Sequence, residues 1–267
     1  MISFLLLFLV GIGVGCFGAL VGLGGGLIMV PLFMLTMMPP HGTTFQNVQQ
    51  VIGTSLFGVL LNALSGSYAY WRSKLIMFRA AIPFALATIP GAFIGAKLTD
   101  YFSGPGFSIL FGCTLMVMAS VMWWKKNSKR ATTSIETFDP QTAKFNVWLG
   151  VFLSFFVGFL SSILGIGGGI IHVPMMMFIL GFPAIIATAT STFVLMISSL
   201  IGVIGHASLG HILWEPAIAV GFGAIVGAQI GVRLAKKSKP KLILKLLCLA
   251  MCLVGCQLIY RGIWVLP

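Results

Sequence analysis

No charged side chain occurs before Arg72 in this 267-residue chain. Within that stretch, residues 2–38 form a 37-residue, overwhelmingly apolar run. One straight helix of that length would reach ~55 Å at ~1.5 Å per residue. A hydrocarbon layer of ~30 Å needs only about 20 residues. The run must therefore break, and Gly24, Gly25 and Gly26 mark the place. Each glycine inside a helix costs about 1 kcal/mol relative to alanine. Unwound backbone facing lipid would cost several kcal/mol more per unpaired group. Such a break has to be sheltered by other parts of the chain.

The break occurs twice. Gly22-Leu23-Gly24-Gly25-Gly26-Leu27-Ile28-Met29-Val30-Pro31 returns as Gly165-Ile166-Gly167-Gly168-Gly169-Ile170-Ile171-His172-Val173-Pro174, identical at seven of ten positions. Two later elements also recur in order. Gly53-Thr54-Ser55 pairs with Ala189-Thr190-Ser191, and residues 91–98 pair with 227–234. The decapeptides are offset by 143 residues and the later elements by 136, so one length difference, between 38 and 46 in the first copy, reconciles all three. An ordered series of matches with one such difference is the mark of internal duplication.

Composition fixes the class. The chain is 58% hydrophobic and 7% charged, whereas soluble domains carry roughly 25% charged residues. This is a polytopic membrane protein. The net charge of +12 sits in short clusters between apolar runs, which reads as cytoplasmic anchoring and not as a nucleic-acid surface. No cleavable leader is expected, because Met1, Ile2 and Ser3 carry no positive side chain and no A-x-A site follows. Five cysteines give no disulfide framework. Cys248, Cys252 and Cys256 share a helical face as small packing residues.

Helices are predicted near 3–21, 27–38, 47–70, 79–97, 105–124, 146–163, 170–181, 184–205, 214–234 and 242–264. Residues 1–124 form a first transmembrane repeat, 125–144 a cytoplasmic linker and 145–267 a second repeat. Lysines and arginines cluster at 72–79, 125–144 and 233–245. Placing all three clusters in the cytoplasm requires an even number of passes between Lys144 and Arg233. That holds only if residues 146–181 count as two elements. The expected fold is all-α, with two inverted-topology repeats of about five helical elements each and Gly-rich broken half-helices. Both termini then lie outside.

Half-helices starting near Gly26 and Gly169 would present unpaired N–H groups, which favour anions. In inverted halves the two positive ends would converge from opposite sides. The candidate substrate-binding residues are Gly24, Gly25, Gly26, Thr54, Ser55, Gly167, Gly168, Gly169, His172, Thr190 and Ser191. The glycines alternatively serve close helix packing, and the hydroxyls alternatively bond their own helix carbonyls. Gln46 and Asn47 read as caps or cavity-lining groups. Asn62 is a candidate to line a wet cavity. Lys97 and Arg233 hold one repeat position and read as snorkelling side chains. His172 replaces Met29 and reads either as an anion or proton partner or as a structural histidine. His206 and His211 flank an outside connection, as a relay or simply as a loop face.

Acidic residues number four, Asp100, Glu136, Asp139 and Glu215, and none is expected at a span centre. Carboxylate-driven hydrolysis and a His-Glu-x-x-His metal helix are absent from this inventory. Neither metal nor cofactor is called for.

These twin Gly-rich elements, the Thr-Ser pairs Thr54-Ser55 and Thr190-Ser191, and the Gly-Ala-x-Ile-Gly elements at Gly91 and Gly227 resemble the sulfite exporter TauE/SafE family of membrane permeases. The resemblance covers nearly the whole chain. It implies an inner-membrane permease moving small sulfur-containing anions such as sulfite, thiosulfate or organosulfonates. The expected activity is secondary transport by alternating access, with a proton or sodium as candidate coupling ion. A passive anion channel and a non-transporting scaffold are the alternatives.

Overall fold

A computed structural model describes residues 4–38, 42–98, 105–124, 145–164 and 168–264. The 125–144 linker and Gly167 lie outside these residues. Among the described residues ten α-helices follow one another: α1 (Phe4–Val21), α2 (Gly26–Thr36), α3 (Val48–Arg72), α4 (Phe78–Leu98), α5 (Pro105–Trp124), α6 (Val147–Leu164), α7 (Gly169–Pro174), α8 (Ala184–Ser208), α9 (Trp214–Lys237) and α10 (Pro240–Trp264). The first break falls between α1 and α2, and the described part of the second, Gly168 and Gly169, opens α7. Six helices among the described residues are long and apolar enough to cross a membrane.

Local chemistry explains the ends. Asn47 caps α3 by accepting from the Gln50 amide at 2.9 Å, and Gln50 Oε1 accepts from the Gln46 amide at 2.9 Å. Asn146 caps α6 by accepting from the Leu149 amide at 3.0 Å. The 170–181 helix departs from expectation: after α7, Met175–Ile179 form a π-helical turn. Pro174 has no N–H to donate, and the following backbone pairs at wider spacing, with the Leu180 amide on the Met175 carbonyl at 3.2 Å.

Polarity is arranged as lipid requires. Leu5, Leu6, Leu9, Ile82, Leu86, Phe152, Leu249 and Leu253 point outward. Thr54, Ser55, Asn62, Thr88, Ser154, Thr190, Ser191 and Ser199 are buried. Hydroxyls and amides therefore lie where protein partners can satisfy them.

Helices of one half pack on helices of the other in a reciprocal pattern. α1 packs along α9, α6 packs along α4, and α5 packs on α10. Added Cβ atoms at Gly227 and Gly231 would collide with the carbonyl oxygens of Ile12 and Cys16. At Gly91 and Gly95 they would collide with those of Phe155 and Phe159. Given the two offsets, these are the same contacts made twice. The Phe57–Trp214 ring pair (5.5 Å, 81°) likewise matches Phe193–Phe78 (5.5 Å, 80°). The glycine at every fourth position lets backbones approach closely enough for dispersion to hold them in an apolar solvent.

Contact order gives direction. Gly15 and Ala19 of α1 meet Asn62 and Tyr70 of α3 in ascending register, as Phe8, Ile12 and Cys16 meet Gly223, Gly227 and Gly231 of α9. α4 runs with α6 and α8 by the same test, through Gly91–Phe155 and Gly95–Phe159, then Met77–Thr190 and Ala96–Gly205. α3 and α8 run oppositely, since Gly66 meets Thr192 while Leu56 meets Gly202. Thus α1, α3 and α9 run one way and α4, α6 and α8 the other. Lys236 Nζ donates to Ser73 Oγ at 3.1 Å, so the basic end of α9 lies beside the basic turn between α3 and α4.

Candidate functional site

The first break is closed by α1 itself. The Gly18 carbonyl accepts from the amides of Gly22 (2.9 Å), Leu23 (2.8 Å) and Gly24 (3.4 Å). Gly22, Gly24 and Gly25 hold φ values of +81°, +74° and +85°, a region that other L-residues enter at a cost of roughly 1–2 kcal/mol. Gly25 is the N-cap of α2 and has no side chain to cap it. The first α2 amides therefore have no partner within the helix. The second half-helix opens with the same pair of bonds, although Gly168 is right-handed (φ −62°) where Gly25 is left-handed. Amides of Ile171 and His172 donate to the Gly168 carbonyl at 3.2 and 3.0 Å, as those of Ile28 and Met29 donate to Gly25 at 3.0 and 3.1 Å.

The two breaks touch. A Cβ on Gly169 would collide with the Gly22 carbonyl oxygen and lie 2.8 Å from Leu23 Cα. Backbone meets backbone at the centre of the fold. Ser191 Oγ donates to the Gly22 carbonyl at 3.2 Å. Thr188 lies against Gly22 through its Cα, Cγ2 methyl and carbonyl oxygen, is fully buried, and its hydroxyl has no protein partner. Thr188 was not among the residues expected from sequence. Its signal is helical spacing: it sits three residues, about one turn of α8, before Ser191.

The other expected residues are distributed differently. Thr54 Oγ1 accepts from the Leu213 amide at 3.1 Å, and Thr190 Oγ1 accepts from the Met77 amide at 3.2 Å. These equivalent hydroxyls each hold the chain entering α9 or α4, and each keeps its O–H to donate. Ser55 Oγ donates to the Ile52 carbonyl at 2.9 Å. His172 is buried with Nε2 2.9 Å from Ser154 Oγ, so α7 is tied to α6. Asn62 donates to the carbonyls of Gly15 (2.8 Å) and Ala224 (3.3 Å), while its Oδ1 is buried without a partner. Lys97 and Arg233 are exposed, and Lys97 Nζ lies 4.5 Å over the Phe93 ring, as snorkelling implies.

Two apolar cavities flank the half-helices at equivalent places. One, of about 440 Å³, lies among Phe17, Ile28, Pro31 and Leu253. The other, of about 460 Å³, lies among Val117, Leu160, Ile171 and Pro174. Their linings suit acyl chains and not anions.

Comparison with known proteins decides the family. The sulfite exporter TauE/SafE pattern matches residues 7–258. The chain belongs to the TauE/SafE family. It is 34% identical over 98% of its length to a probable membrane transporter protein, YunE, of Bacillus subtilis (strain 168), covering 99% of that protein. It is 28% identical to a probable membrane transporter protein, MJ0441, of Methanocaldococcus jannaschii, over 75% of this chain and 71% of that one. No solved structure matches. Family membership and the six apolar helices make this TauE/SafE chain a multi-pass membrane protein of the transporter type.

Proposed function

We propose that this TauE/SafE protein is a secondary transporter moving a small sulfur-containing anion across the cytoplasmic membrane. The anion binds where the two Gly-rich breaks meet. The observation that carries this reading is the contact of Gly169 with Gly22 and Leu23 between two half-helix starts. Unpaired amides of α2 and α7 supply positive potential without a formal charge. The Thr188 hydroxyl supplies a donor already desolvated and unpartnered. A site of dipoles holds an anion weakly enough to release it.

In this conformer no gap separates Gly22 from Gly169, so binding requires the breaks to part. The half-helices have room for that, because an apolar cavity lies beside each. The two halves act as inverted-topology repeats, and alternating access moves one set of helices against the other. Reciprocal packing and the opposed helix directions support this arrangement. The closed break favours a carrier over a passive pore, which needs a continuous path.

The test is counterflow in proteoliposomes with sulfite, thiosulfate, sulfate, sulfoacetate and taurine. Saturable exchange of one sulfur anion is expected, and Gly25→Val and Gly168→Val should abolish it while inserting normally. Single-channel currents without exchange would mean a pore, and no response to any anion would mean a scaffold.

A further inference from the structure

The two halves end their third helix with the same backbone device but different side chains. After α3, the Lys74 amide donates to the Trp71 carbonyl (2.9 Å) and the Leu75 amide to that of Tyr70 (3.2 Å), with Lys74 at φ +56°. After α8, the Gly210 amide donates to the Ala207 carbonyl (3.1 Å) and the His211 amide to that of His206 (2.9 Å), with Gly210 at φ +71°. Both are Schellman motifs, which set one left-handed residue past the helix and favour glycine there. The second half follows that habit. The first half holds a lysine in the left-handed region, where a Cβ crowds the following carbonyl oxygen.

Lys74 lies in the turn between Trp71 and Phe78, which both line a surface groove of about 450 Å³. Leu64, Ser67 and Tyr68 continue its wall along α3, and Phe193 of α8 stands opposite beside Phe78 of α4. Leu64, Tyr68 and Trp71 share one face of α3 at helical spacing, and all three are exposed. The Tyr68 and Trp71 rings lie 6.2 Å apart. Such side chains settle at the level of lipid headgroups, where one end is apolar and the other wet. Ser67 is buried, and its hydroxyl has no protein partner. From Trp71 to Leu64 the helix rises ~10 Å at ~1.5 Å per residue. That fits within one leaflet of a ~30 Å hydrocarbon layer.

The equivalent surface of the second half is built differently. Leu200, Val203, Ile204 and Ala207 stand in place of Leu64, Ser67, Tyr68 and Trp71, so the two rings and the hydroxyl are missing. The ring pair beside them is kept, with Phe57 and Trp214 in place of Phe193 and Phe78. Charge changes with the rings. Arg72, Lys74 and Arg79 give way to Ser208, Gly210 and Glu215. Lys236, bonded to Ser73, brings a further cation to the first half's end. Glu215 is the one acidic side chain among the described residues, and it opens α9 ~30 Å along that helix from Lys236. Helix packing would serve both halves alike. The difference follows the side of the membrane: basic clusters mark the cytoplasmic face, whose leaflet carries anionic lipid.

We infer that this groove holds an anionic phospholipid of the cytoplasmic leaflet, with its phosphate beside Arg72 and Lys74 and one acyl chain lying along Tyr68 towards Leu64. A lipid ester carbonyl at the level of Ser67 supplies the acceptor its hydroxyl lacks. The test places the full chain in phosphatidylcholine nanodiscs and adds increasing shares of either phosphatidylglycerol or phosphatidylcholine with brominated acyl chains. Trp71 is read as the difference in fluorescence between the wild type and Trp71→Phe. Brominated phosphatidylglycerol should quench Trp71 at a lower share than brominated phosphatidylcholine. The share that gives half-quenching should rise about fivefold in Arg72→Gln and again in Lys74→Gly, the usual contribution of one basic side chain beside an anionic lipid surface. Lys74→Gly relieves the left-handed strain, so its weaker binding does not come from a less stable fold. Equal quenching by the two brominated lipids would overturn the proposal, and so would unchanged half-points in both variants. Quenching by neither lipid would overturn it as well, and a dimer in native mass spectrometry would then identify a second copy as what covers the groove.

Discussion

Substituting Gly169 by alanine is the sharpest probe of the contact between the breaks. The added methyl would meet the Gly22 carbonyl oxygen and Leu23 Cα, both backbone atoms. Backbone cannot rotate aside as a side chain can, so relief requires the two breaks to separate. Inserting a methyl into a packed interior costs about 1–3 kcal/mol, and the rigid neighbours here put Gly169→Ala near the top of that range. Alanine returns at most about 1 kcal/mol through helix propensity. The expected net loss is about 1–2 kcal/mol, or a melting temperature lower by roughly 2–8 °C for a chain this size. Gly13→Ala is the control, because a Cβ there meets nothing within 4 Å and only the propensity gain remains. Thermal unfolding of both variants in the same nanodiscs is the assay. Equal stability of Gly169→Ala, Gly13→Ala and wild type would refute the direct backbone contact.

Thr54→Val and Thr190→Val each strand one entering amide, of Leu213 or Met77, and should each cost about 1–3 kcal/mol in thermal unfolding. Similar losses are expected, since the two bonds occupy equivalent places. Lys74→Gly relieves a left-handed lysine and should stabilise by up to about 1 kcal/mol, read in the same assay. Ser154→Ala removes the one side-chain bond seen at His172 Nε2 and should destabilise by about 1–3 kcal/mol. An unchanged melting temperature would mean that the bond does not hold α7.

The helices were legible because apolar run length and glycine position report directly on spans and breaks. The structure moves the expected ends by only a few residues: α3 reaches Arg72 and α8 reaches Ser208. Between 146 and 181 the described residues form α6 and, past Gly168, α7 with its π-helical turn. The π-helical turn was not legible, because Pro174 announces a missing donor without saying how the chain re-pairs. Partners were harder still. Spacing shows that Gly91 and Gly95 share a helix face, but only the fold shows Phe155 and Phe159 against it. Thr54 and Thr190 were correctly seen as equivalent, yet their bonds to Leu213 and Met77 are separated by more than 100 residues. His206 illustrates the same limit. A loop histidine in sequence is a buried one in space, because the Schellman turn folds His211 back over it.

The central claim is that the anion sits between the breaks, and a structure solved with a transported sulfur anion bound tests it most directly. The account predicts the anion within hydrogen-bond distance of the amides opening α2 and α7 and of the Thr188 hydroxyl, with Gly22 and Gly169 drawn apart. An anion bound elsewhere, with the Gly22–Gly169 contact still closed, would contradict it.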